Sequence, residues 1–156
     1  MMKLDMNRKY IIVEIIPTGI SPDKGVVAQI SALKLKGLEL LDRFDARLNL
    51  DMINNSQILD MIDYDHDSFE YFSDSKIIMD KFSKWTDGED LLILDNTYTN
   101  NFLECLDNKR ESIASYYDLE YSDDLIDKIR DKYNLEDSNY IVDLLYEGLI
   151  GASNDK

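Results

Sequence analysis

The chain has 156 residues, 44% of them hydrophobic, which suits one globular domain burying roughly 68–70% of the surface its unfolded chain exposes. Acidic residues outnumber basic ones 32 to 17, and the resulting charge of −15 repels bare phosphate backbones unless metal ions or a local basic patch intervene. A lone cysteine, Cys105, and a lone histidine, His66, exclude an internal disulfide and a cysteine-based zinc site. The N-terminus carries no apolar signal core and no run nears the ~20 apolar residues of a membrane span, so a soluble, cytoplasmic protein is expected.

Tyr10 to Gly19 reads Tyr-Ile-Ile-Val-Glu-Ile-Ile-Pro-Thr-Gly, a β-branched run closed by Pro17 and Gly19. It predicts a strand buried on both faces, in which Glu14 needs a partner, a metal or a proton. After a Pro22/Gly25 turn, Val26 to Lys36 is a second strand with Ile30, Ala32 and Leu35 toward the core. Gly37 reverses the chain into a third strand, Leu38 to Leu48, in which Leu41, Phe44 and Leu48 supply bulk. Short helices are expected between Asn49 and Phe72. There Asp63, Asp65 and Asp67 alternate without the glycine or the final glutamate of a calcium loop, so they read as solvated charge.

Asp74 or Ser73 caps a helix to about Trp85 whose stripe of Ile77, Ile78, Lys81, Phe82 and Trp85 reads as core. Asp87-Gly88 ends it, and Asp90 to Leu94 is a short buried strand. Asn96 to Thr99 has capping chemistry and leads into a helix through Phe102, Leu103 and Leu106. From Glu111 onward the pattern is helical, with residues 151–156 a frayed tail to a single domain spanning 1–150. Tyr116, Tyr117 and Tyr121 are read as packing a core edge rather than stacking on bases, because no basic residues interleave them. Strands alternating with helices after a meander imply a mixed α/β sheet covered on both faces.

Val13-Glu14-Ile15-Ile16-Pro17-Thr18-Gly19-Ile20-Ser21-Pro22 resembles the first motif of the DEDD-type 3′–5′ exonucleases, the group of the DNA polymerase III epsilon proofreading subunit. That motif is Asp-x-Glu-Thr-Thr-Gly followed by a short proline-containing turn. Val27 to Lys34 looks like the family's second strand, and Leu91 to Asn96 is similar to the strand before its His-Asn-x-x-Phe-Asp motif. Phe102-Leu103 follows as the usual pair, and the match spans about residues 10 to 147. The resemblance implies a ribonuclease H-like fold and Mg²⁺ or Mn²⁺ as cofactor. In that chemistry four carboxylates hold two divalent ions, one activating a water and the other stabilising the leaving 3′ oxygen, while a histidine takes the proton.

This chain departs from the pattern where it matters most. The first metal-ligating acid aligns with Glu14, but the second aligns with Ile16, which is expected on the same face and is no ligand for a hard cation. The third acid becomes Asn100, the third-motif histidine becomes Asp95, and Asn96 is kept. Asp137 or Glu136 stands for the fourth acid, and the catalytic histidine's place is taken by Lys132, protonated near neutral pH. Lys132 is expected to pair with Glu14 or Asp137 in place of a metal. Thr18, Gly19 and Asn96 remain as substrate-binding candidates, and Asp95 and Glu104 as replacement ligands.

The expectation is an exonuclease-like pseudoenzyme acting through a protein partner in replication or repair, or through a nucleic-acid end held without cleavage. The alternatives are a working metal-dependent 3′–5′ exonuclease with atypical ligands and, less favoured, an acidic imitation of nucleic acid.

Overall fold

β1 (Lys9–Pro17) runs down the middle of a six-stranded sheet, with a strand hydrogen-bonded along each side and helices over each face. That position is why its apolar residues continue almost without a break: neither face meets water. The structure is a computed structural model describing residues 3–53, 56–61, 69–137 and 140–154. The acidic segment containing Asp63, Asp65 and Asp67, and His66 with it, lies outside the described residues.

β2 (Val27–Lys36) and β3 (Glu39–Leu48) complete an antiparallel meander with β1. Gly37 makes the reversal between them at φ +59°, where a side chain would strike the backbone of Met6. The three-residue β4 (Glu70–Phe72) lies parallel to the end of β3. On the other side of β1, β5 (Asp90–Ile93) and then β6 (Arg110–Ser112) add in parallel, giving the order β4-β3-β2-β1-β5-β6. A meander joined through its first strand to parallel strands is the ribonuclease H-like sheet that the motif order implies.

Among the described residues five α-helices accompany it: α1 (Ser56–Met61), α2 (Ser75–Thr86), α3 (Thr97–Leu103), α4 (Leu125–Tyr133) and α5 (Ile141–Asn154). The two-residue period of β1 divides its side chains between two cores. Ile11, Val13 and Ile15 pack with Ile78 and Phe82 of α2 and Phe102 and Leu103 of α3. Tyr10 and Ile12 pack on the other side with Ile129 of α4, Leu144, Leu145 and Leu149 of α5, and Tyr117. Asp74 caps α2 as expected, accepting from Lys76 N at 2.8 Å, and Asp87 ends it in the left-handed region at φ 52°. Among the described residues no helix is long and apolar enough to cross a membrane.

Several elements differ from the sequence expectation. Glu111 and Ser112, expected to be helical, lie in a strand with Arg110, because the outer edge of β5 offers unpaired backbone groups that outweigh weak local preference. β4 forms against β3 for the same reason. Residues 151–154 are no frayed tail: α5 continues to Asn154 and buries Ala152 against the second core. α3 stops at Leu103, although Leu106 still reaches the core. Ile77 and Leu41, both expected inside, are 43% exposed. Leu41 falls at a register shift between β2 and β3, where the extra residue is left out of the pairing. Tyr116 and Tyr117 are buried, in keeping with a packing role.

One end of the sheet's α5 face is polar and yet dry. Gln29, Ser31, Asp45 and Arg47 are each buried there. Arg47 donates to Gln29 Oε1 through Nε and Nη2, at 3.0 and 2.7 Å. Arg43 donates to Asp45 Oδ2 at 2.6 Å and, with both terminal nitrogens, to Asp143 of α5 at 2.9 and 3.0 Å. Its guanidinium also lies 4.5 Å from the ring centroid of Tyr140. This fork fastens the final helix to the third strand. Replacing Arg43 by Met strips a buried carboxylate of its cation and should lower the unfolding free energy by about 2–3 kcal/mol, below a fully buried pair because Arg43 is partly solvated. Urea denaturation should show an earlier midpoint at an unchanged slope.

Candidate functional site

The chain leaves β1 toward β2 on one side and leaves β5 through α3 toward β6 on the other. The carboxyl ends of these adjacent parallel strands therefore frame the crevice where an open α/β sheet most readily receives a ligand. Val13 and Ile93 are the last registered pair between them, and Glu14 comes next on β1. It shares a face with Tyr10 and Ile12, turned toward the core beneath α4 and α5. Leu94 and Tyr121 pack at the margin of that core.

Glu14 is half-buried, and no hydrogen bond or ion pair to its carboxyl is found among the described residues. Burial pushes its pKa up from 4.5 to about 8. Tyr98, in the first turn of α3, is close enough to feel this carboxyl. Burial raises its pKa first, with Glu14 and Tyr121 adding to the effect and the Asn96 amide opposing it. Across β2, Ser31 sits in register with Glu14, and Asp45 of β3 sits in register with Ser31. Ser31 is 1% exposed and its hydroxyl finds no hydrogen-bond partner among the described residues.

The other candidate residues do not gather around Glu14. Ile16 is still in register with β2, opposite Gln29, with the shift falling between it and Pro17; it packs with Val27 and Phe102 in the core of α2 and α3, not with Tyr10 and Ile12 beneath α4 and α5. Asn100 donates its side-chain amide to Asp95 Oδ1 at 2.8 Å and to Asn96 O at 3.0 Å. The two residues aligned with the third motif's acid and histidine thus satisfy each other. Asn96 is the N-cap of α3, accepting from Thr99 N at 2.8 Å. Lys132 neither pairs with Glu14 nor with Asp137; it donates to Tyr117 O at 2.5 Å. Asp137 pairs instead with Arg130 Nε at 2.8 Å, its side chain 88% exposed. Glu136 is exposed, and Glu104 lines a separate hollow of about 500 Å³ with Val26, Met79, Phe102 and the exposed Cys105.

Thr18 and Gly19 build the turn beside the crevice. Thr18 N donates to Val26 O at 2.8 Å, and Val26 N returns a bond to Thr18 Oγ1 at 2.9 Å. A Cβ on Gly19 would lie 2.4 Å from Lys24 O, and one on Gly25 2.4 Å from Gly19 N. Two glycines are needed because the two arms of the loop touch through their backbones. Asn101 of α3 donates to Ile20 O at 3.0 Å and holds the loop against the helix.

These donors do not fit a pair of divalent ions. Four anionic ligands would have to converge, yet among the described residues no group of three or more metal-ligating side chains is found, and the surroundings of Glu14 favour its neutral form. Comparison with known proteins found no family model and no curated protein that the chain matches.

Sequence reasoning missed the neighbours that give Glu14 its surroundings: Ser31 across the sheet, and Tyr98 with Tyr121 at the mouth. A signal was present in the alternation of Gln29 with Ser31 and of Arg43, Asp45 and Arg47. Such alternation ordinarily marks a solvated face, and here α5 covers it.

The raised pKa of Glu14 has a definite sign. Between 4.5 and about 8 the folded protein keeps a proton that the unfolded chain has released, so stability falls as pH rises through that window and levels off above it. Glu14→Gln removes the ionisation while keeping the shape. Denaturation across pH should find the variant more stable than the parent by about 1–3 kcal/mol at pH 9, after allowance for partial solvation, and nearly equal to it at pH 4.

Proposed function

We propose that this chain is a ribonuclease H-fold relative of the DEDD-type 3′–5′ exonucleases in which two-ion phosphodiester hydrolysis has been lost, and that it works by binding. The observation that carries this reading is the fate of the four acid positions. Glu14 is half-buried with no countercharge among the described residues, Ile16 packs with Val27 and Phe102, Asn100 is tied to Asp95, and Asp137 is out in solvent with Arg130. A single carboxyl provides too little charge to hold two hard cations. Lys132, in the place of the general base, is a donor already committed to a backbone carbonyl.

The partner is a protein, of the replication or repair machinery to which the resemblance belongs, rather than bare nucleic acid. Net charge supports this choice: at −15 the surface repels a phosphate backbone and attracts a basic protein. Purified protein incubated with 5′-labelled single-stranded oligonucleotide and Mg²⁺ or Mn²⁺ should leave it at full length. Metal-dependent shortening abolished by Glu14→Ala would instead establish an active exonuclease with atypical ligands.

A further inference from the structure

The crevice between β1 and β5 contains a set of groups with a common chemical complement. It has one carboxyl, Glu14, with no hydrogen bond or ion pair among the described residues. Beside it on the same face, in register across β2, is the buried and unpartnered hydroxyl of Ser31. Tyr98 from α3 and Tyr121 from the segment before α4 are both half-buried there, the first within electrostatic reach of Glu14 and of the second. Lys132, which the sequence alignment brings nearest to this place, is committed to Tyr117 O.

An anionic guest finds no countercharge in such a crevice. A hard metal ion finds one anionic ligand where it needs several. An organic cation is better matched. Its N–H groups reach the carboxyl, and its flat or alkylated face lies against phenol rings, an arrangement that suits guanidinium above ammonium.

We propose that the Glu14–Tyr98–Tyr121 crevice captures a single cationic side chain, arginine in preference to lysine, presented by the protein partner. This rests on the binding function proposed above and adds the chemistry by which the partner is recognised. Ser31 contributes from behind: once Glu14 carries its charge, the idle hydroxyl has an acceptor beside it. Ser31 is therefore a positioning residue for the carboxylate rather than a contact for the guest.

The site can be tested without knowing the partner. The full chain, with Glu14 followed by carbon-13 carboxyl NMR, is titrated at pH 9 with N-acetyl-arginine methylamide, its lysine counterpart and the neutral isostere N-acetyl-citrulline methylamide. At that pH the carboxyl is ionised and the guanidinium keeps its charge. The expected result is saturable binding of the arginine derivative, with a Kd on the order of millimolar for one isolated side chain. Lysine should bind more weakly, and citrulline at least ten-fold more weakly. Calorimetry should show the arginine derivative's binding lost in Glu14→Gln, and weakened in Tyr98→Leu while both variants keep the parent's circular dichroism. Equal binding of citrulline, undiminished binding by folded Glu14→Gln, or no saturation by any of the three compounds would overturn the proposal. So would displacement of the arginine derivative by stoichiometric Mn²⁺. Oligonucleotide shortening, read separately, bears on the loss of hydrolysis and leaves the arginine comparison interpretable by itself.

Discussion

A strand that meets water on neither face has no neutral place for a carboxyl. β1 lies between β2 and β5, with α2 and α3 over one side and α4 and α5 over the other, and Glu14 is its one carboxyl. An ionised group in that position needs a cation, a metal or a set of hydrogen-bond donors. Among the described residues no cation or hydrogen-bond donor reaches it, and burial keeps the proton on well above the usual carboxylate range. Retaining an unpaired carboxyl at this half-buried position opposes stability, and sites that oppose stability are where function is concentrated.

The polar end of the second core shows the opposite solution. Asp45 is buried too, yet Arg43 reaches it and continues to Asp143, so the carboxylate has a countercharge and the same guanidinium anchors α5 to β3. Arg47 is 1% exposed and lies 4.0 Å from the ring centroid of Phe69 while sharing Gln29. Glu14, Ser31 and Asp45 form one row across three strands, compensated at the β3 end and open at the β1 end. That gradient, more than any single residue, distinguishes the crevice from the rest of the sheet.

Around the crevice, residues that a nuclease would direct at its ions serve local structure. Asn96 caps a helix, Asn100 and Asp95 bind one another, Thr18 closes a turn, and Asp137 meets Arg130. Each of these contacts is short-range in sequence and is made with a near neighbour. Once ligand charge is lost, a polar side chain at a strand end is most readily satisfied by the backbone and side chains next to it. On the proposed reading, the scaffold remains while the convergence of its carboxylates does not.

Much of the fold was legible in the order of residues. β-branched runs punctuated by Pro17, Gly25 and Gly37 located the meander, Asp74 and Asp87 bounded α2, and Leu91 to Ile93 stood out as a short buried strand. Those features depend on local stereochemistry and on hydrophobic periodicity, which the chain carries wherever it is placed. β4 and β6 were not legible, since three residues become a strand only when a neighbouring edge has bonds to offer. Nor was the packing of Ile16 with Val27 and Phe102, or the cover that α5 lays over Arg43, Asp45 and Arg47. The sequence by itself determined that Glu14 would stand in a buried strand. Only the tertiary structure decided what stands near it, because a desolvated charge answers to neighbours brought from β2, α3 and the segment before α4, and local pattern contains no record of them.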